Sequence, residues 1–152
     1  MKNIKALTVL LIVLFGSSVG CSEEKEGPNK TYYKSGKLKT EFTDKNGEKE
    51  GLFKTYYESG ELQSETNFKN GKEEGLLKTY YKSGELQGEM NLKNGFPDGL
   101  LNLYYENGKL KLEVTSKNGM RVSPYKEYYE SGALKEEVPY KNGRPEGLAK
   151  GY

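Results

Sequence analysis

Residues 51–71 read GLFKTYYESGELQSETNFKNG, and this stretch decides the fold. Residues 51–57 are rich in strand formers, with Phe53, Thr55, Tyr56 and Tyr57. Ser59-Gly60 then turns the chain, residues 62–69 form a second strand, and Asn70-Gly71 turns it again. Asn-Gly is the strongest short hairpin signal, because a tight hairpin turn needs two residues that accept positive φ. Side chains alternate between the faces of a strand. Leu62, Ser64, Thr66 and Phe68 therefore share one face, and Gln63, Glu65, Asn67 and Lys69 the other. The first strand divides less cleanly, with Leu52 and Tyr56 on one side and Phe53 and Tyr57 on the other. The double tyrosine sets one ring on each face.

The same unit recurs every 24 residues across 31–152. Tyrosine pairs stand at 32–33, 56–57, 80–81, 104–105 and 128–129. Each is followed by a turn glycine (Gly36, Gly60, Gly84, Gly108, Gly132), a leucine (Leu38, Leu62, Leu86, Leu110, Leu134) and a glutamate (Glu41, Glu65, Glu89, Glu113, Glu137). Each unit closes on Asn-Gly, and residues 147–152 repeat the first strand of a sixth unit. Self-similarity at a fixed period marks a repeat architecture. The expected fold is all-β, an elongated single-layer antiparallel meander of stacked 24-residue β-hairpin repeats. It comprises about five repeats plus a terminal strand that pairs back as a cap. No sustained 3.6-residue apolar period predicts a helix beyond the leader described below. Two departures predict local breaks: Ser123-Pro124 replaces Gly-Leu in the fifth unit, and Pro139 interrupts its second strand.

Composition agrees with a thin fold. Only 34% of the 152 residues are hydrophobic and the mean hydropathy is −0.88, too little for a thick two-layer core. With 13 Tyr and no Trp, the aromatic content suits half-buried positions on an open sheet. Lys2 and Lys5 account for two of the 24 basic residues, which leaves 22 against 22 acidic ones after residue 20. Lys and Glu alternate, so the basic patch that generic nucleic-acid binding requires is missing.

The N-terminus reads as an address. Lys2 and Lys5 precede an apolar run at residues 6–15 (ALTVLLIVLF), and small residues lead to Ser18-Val19-Gly20-Cys21. This is the order of parts in a secretory signal peptide, and the run is about half the length that spans a bilayer. Residues 1–20 are expected to be a lipoprotein signal peptide. The sole cysteine, Cys21, resembles the lipidated residue of a bacterial lipobox, and two or more acyl chains would anchor it stably. Residues 21–30 are then the lipidated Cys and a flexible tether, charged and broken by Gly27-Pro28. By resemblance to Gram-negative lipoproteins, Ser22 after the cysteine implies the outer membrane, facing the periplasm or the cell surface.

Catalysis is not expected. The chain has no His, and its one Cys is read as acylated, which removes Ser-His-Asp, Cys-His and His-based zinc chemistry. The glutamate column recurs in every unit, whereas an active site occurs once. It reads as an exposed charge ladder whose pairs contribute under about 1 kcal/mol each. Asp44, Asn46 and Glu48 alternate but straddle a turn, so no metal and no cofactor are expected.

The spacing Tyr-Tyr-x-x-Gly-x-Leu-x-x-Glu followed by Asn-Gly-x-x-x-Gly resembles the MORN repeat in its bacterial variant form, over essentially all of residues 31–152. The resemblance implies stacked hairpins in one twisted sheet. It also implies a protein-binding scaffold or membrane-associated module, since MORN arrays act so elsewhere. Some variant members carry an antitoxin label, which implies a neutralising partner of a toxin as the second reading.

The candidate binding face is an aromatic row. Stacked hairpins align Tyr57, Tyr81, Tyr105 and Tyr129 in one row and Tyr56, Tyr80, Tyr104 and Tyr128 in another. Both rows also suit cross-strand packing, but one of them lies on the less buried side. Tyrosine gives contact area at low entropic cost, and flat rings can stack on sugars. The expectation is a lipid-anchored module of the bacterial envelope that binds a protein partner, or else a cell-wall glycan, along Tyr57, Tyr81, Tyr105 and Tyr129.

Overall fold

The structure, a computed structural model, describes residues 27–151. The predicted signal peptide, Cys21 and most of the tether lie outside the described residues. Eight strands form the regular part: β1 (Gly27–Tyr32), β2 (Leu38–Lys45), β3 (Glu48–Tyr56), β4 (Leu62–Lys69), β5 (Lys72–Tyr80), β6 (Leu86–Lys93), β7 (Phe96–Tyr104) and β8 (Leu110–Lys117). Six shorter ones follow: β9 (Met120–Arg121), β10 (Tyr125–Tyr128), β11 (Leu134–Val138), β12 (Tyr140–Lys141), β13 (Arg144–Pro145) and β14 (Lys150–Gly151). Twelve of them make one antiparallel sheet in the order β1-β2-β3-β4-β5-β6-β7-β8-β10-β11-β14, with β9 also on β8; β12 and β13 form a separate pair. Among the described residues there is no helix. The all-β single-layer meander of hairpins is what the repeat predicted.

Turn chemistry sets the register. At the Asn-Gly corners both residues have positive φ, for example 50° at Asn70 and 71° at Gly71, as a two-residue type I′ hairpin demands. At the opposite corners a three-residue loop closes on glycine. The Gly60 amide donates to the Tyr57 carbonyl and the Tyr57 amide to the Glu61 carbonyl, both at 2.9 Å. That loop geometry inserts one extra residue into the second strand of every hairpin, so Gln63 lies between the pairs Thr55–Ser64 and Tyr56–Leu62.

The first strands differ from the sequence reading. β3, β5 and β7 begin three residues ahead of Gly51, Gly75 and Gly99, which sit inside the strands as bulges with φ of 76°, 87° and 135°. Three residues, Gly75, Leu76 and Leu77, lie between the pairs Asn67–Glu74 and Glu65–Lys78. The boundary at residue 31 is also corrected. Gly27 to Lys30, read as tether, belong to β1 and pair with Asp44 to Glu41. Their composition suggests a loop, but an edge strand needs only backbone partners.

Among the described residues no second layer covers the sheet. Leu92 and Val114 are the only buried hydrophobic side chains among the described residues, each at 5% exposure. Stability therefore rests on each hairpin holding the next. The turn amide of Gly95 donates to the Glu73 carbonyl at 2.9 Å, and that of Gly119 to the Pro97 carbonyl at 2.8 Å. The Asn70 and Asn94 amides donate to the Glu50 and Glu74 carboxylates on the first strand of the same hairpin, both at 2.9 Å.

The fifth unit breaks where its prolines stand. Ser123-Pro124 splits the first strand into β9 and β10, and the Ser123 hydroxyl accepts the Thr115 amide at 2.7 Å in place of a ladder partner. Pro139 ends β11 and hands the chain to the small β12–β13 pair. The terminal strand does pair back, with Lys150 opposite Glu137 and Gly151 opposite Glu136.

Candidate binding surface

The two faces of the sheet are chemically different. On the first, cross-strand pairing builds a row of alternating charge: Lys30, Glu41, Lys54, Glu65, Lys78, Glu89, Asn102, Glu113, Lys126, Glu137 and Lys150. Asn102 alone replaces an expected lysine. The first tyrosine row reaches into this ladder. Tyr56, Tyr80, Tyr104 and Tyr128 donate to Glu41, Glu65, Glu89 and Glu113, the last three at 2.8–2.9 Å. Burial first, then the hydrogen-bonded carboxylate, pushes the Tyr80 phenol up to about 12. Tyr128 behaves alike. The glutamate column is thus both a charge ladder and the acceptor for a neutral phenol. Beside it Leu52, Leu76 and Leu100 remain exposed.

The second face is apolar. Its first third holds Phe42, Phe53 and Phe68, with neighbouring ring centroids at 5.6 and 5.5 Å. The Lys49 ammonium stands over all three rings, 4.4 Å from Phe53. Across the middle, Leu77, Met90, Leu101 and Leu103 line a shallow hollow of about 130 Å³. A wider one of about 380 Å³ follows, lined by Leu103, Leu112, Val114, Arg121 and Tyr125 among others. Gly88 keeps the face smooth, since a Cβ there would lie 2.7 Å from the Leu103 Cδ2. Arg121 stacks on Tyr125 and Tyr140 and donates to the Tyr140 hydroxyl at 2.9 Å.

The predicted row, Tyr57, Tyr81, Tyr105 and Tyr129, borders this apolar face at the three-residue corners, which are Ser-Gly except for Asn107-Gly108 after Tyr105. Its members do line up, and they are tied into the stack. The Tyr57, Tyr81 and Tyr105 hydroxyls donate to the carbonyls of Tyr80, Tyr104 and Tyr128, one repeat on, at 2.7–2.8 Å. Their rings are half-buried, with lysines over those of Tyr57 and Tyr105. Tyr129 is the exposed member, at 45%. Cys21, the predicted lipidation site, lies outside the described residues. Sequence reasoning passed over the apolar face between the tyrosines and the Asn-Gly corners. Two columns could have revealed it: Phe53, Leu77 and Leu101, and the more variable Lys49, Glu73, Pro97 and Arg121, both spaced by 24.

Five consecutive matches to the MORN repeat variant model fall at residues 25–46, 49–70, 73–94, 97–118 and 121–142. The chain belongs to the MORN repeat variant family. Each family unit is one hairpin of the sheet and ends on the asparagine of an Asn-Gly corner. No curated protein matches the chain. Among solved structures, the crystal structure of accessory secretory protein 1,2 and 3 in Streptococcus pneumoniae is similar over 66% of this chain and 18% of that one, at 14% identity and a TM-score of 0.40. MORN repeats make a repeat-based binding module, and here each hairpin adds one strip to both faces. Within the described residues no three metal-binding side chains cluster.

Proposed function

We propose that this MORN repeat chain is a lipid-anchored binding module of the bacterial envelope, held through Cys21 and acting by contact and not by catalysis. Its contact surface is the apolar face with the Tyr57, Tyr81, Tyr105 and Tyr129 row along its margin. The observation that carries this reading is that, among the described residues, no second layer covers a face on which the Phe and Met side chains and most of the Leu stay part-exposed. Antiparallel sheets ordinarily cover one face, and an apolar patch larger than a few hundred Å² marks an interaction site.

Two experiments test it. Membrane fractionation of cells producing the full chain should find it with the envelope, and Cys21→Ala should release it to the soluble fraction. Unchanged membrane association in that variant would remove the anchor. The full chain should retain an envelope component that Leu103→Glu loses. Retention of a single cytosolic protein, toxic when produced alone, would replace this reading with a neutralising one.

A further inference from the structure

We infer that the apolar face takes a second copy of this same chain, in a face-to-face dimer whose two-fold axis runs along β7. This rests on the reading of that face as the contact surface and names its partner.

Area is the first argument. An axis on β7 sets β5, β6, β7, β8 and β10 against the same strands of the second copy. With strands about 4.8 Å apart and about 20 Å of each strand involved, this shared face measures about 480 Å². Two copies then cover about 1,000 Å² between them, the lower bound for a specific interface. Two such sheets pack about 10 Å apart with their strands roughly aligned, so the tightest contact lies at the axis and opens outward as both sheets twist. The leucine-rich stretch is centred accordingly, with Leu101 and Leu103 on β7, Met90 and Leu92 on β6, and Leu112 and Val114 on β8.

Charge is the second and sets the position of the axis. Lys49, Glu73, Pro97 and Arg121 occupy one column at the same height along successive first strands. Glu73 lies opposite Phe68 on the apolar face. Arg121 lines the leucine hollow together with Pro97. A two-fold axis along the strands preserves height and exchanges left with right. Placed on β7, it sets Glu73 of each copy, two strands to one side, opposite Arg121 of the other copy, two strands to the other side. Placed on β6 it would oppose Lys49 and Arg121, which repel. Among the described residues neither Glu73 nor Arg121 is in an ion pair. An acid and a base on one face, symmetric about its apolar centre, match what a self-complementary interface requires.

The test uses the full chain in the cells that produce it, with p-benzoyl-phenylalanine at position 101. Irradiation should give a covalent species of twice the chain mass, cross-linked to β6, β7 or β8 of the second copy. Glu73→Arg and Arg121→Glu should each lower its yield roughly tenfold by bringing like charges together, and the double reversal should restore it. Cross-linking to a different protein would overturn self-pairing and leave the contact face standing. No cross-link at all would overturn both. A dimer indifferent to the reversals would overturn the placement on β7.

Discussion

The hairpins from β3 to β8 and the unit from β9 to β14 are built from the same repeat, and only the first group is regular. In β3 to β8 every first strand runs nine residues through a glycine bulge. In the last unit Ser123-Pro124 stands at the bulge and Pro139 in the return strand, and each proline splits one long strand into two short ones. Yet the corners survive, since Gly143 still donates to the Arg121 carbonyl at 2.9 Å, and the Tyr128 phenol still reaches Glu113 at 2.9 Å. Corner geometry and the ladder therefore define a unit, while strand continuity determines how firmly it is held.

The largest test of this contrast is deletion of apolar contact. Leu92→Ala, in the buried middle, should lower stability by about 2–3 kcal/mol in urea unfolding. Leu148→Ala, at 88% exposure, should change it by less than about 0.5 kcal/mol. Equal effects would abolish the distinction between middle and end. Next come the corners. Gly95→Val and Gly143→Val each force a side chain into positive φ, at 81° and 78°, which costs about 1–3 kcal/mol. The first should shift the global urea midpoint. The second should mainly speed amide exchange within the last unit.

Repair sharpens the comparison. Replacing Ser123-Pro124 by Gly-Leu should join β9 to β10 and slow amide exchange across Tyr125–Tyr128, worth about 1 kcal/mol locally. Unchanged exchange would show that proline is not what weakens this unit. The smallest effect is shared by both regions. The Tyr80 and Tyr128 phenols are pushed from 10 to about 12 in the folded chain. A raised pKa stabilises the protonated fold below pH 10 and loses that contribution as pH climbs from 10 through about 12. Tyr80→Phe and Tyr128→Phe should flatten the alkaline fall of the unfolding midpoint to a similar degree. A markedly smaller change for Tyr128→Phe would mean that the broken strand loosens the ladder too.

Much of this fold was legible because corner residues obey steric rules that composition cannot disguise. Asn-Gly and Ser-Gly at fixed spacing determine the hairpins, and Pro124 and Pro139 mark the breaks. β1 was less legible. Gly27 to Lys30 carry no pattern, and their strand is held by backbone pairing. For the same reason the charged residues 48–50 and 72–74 look like turn and act as strand. The tyrosine columns were visible but their hydroxyl partners were not, since the Tyr57 row bonds to backbone carbonyls that no spacing announces. The apolar face lay half in view, because in a single-layer sheet a leucine that faces no partner reads in sequence like one that does.

The charge row begins on Lys30 of the first strand and ends on Lys150 of the last. Two such sheets meeting edge to edge in that row would set lysine beside lysine, whichever ends came together. Like a domino with the same number at both ends and no tile that matches it, the charge row disfavours extension of the sheet by its own copies. Each added hairpin would lengthen it by two strand spacings, about 10 Å. Each repeat therefore adds a strip of surface of fixed width, and the array is a ruler whose divisions are hairpins.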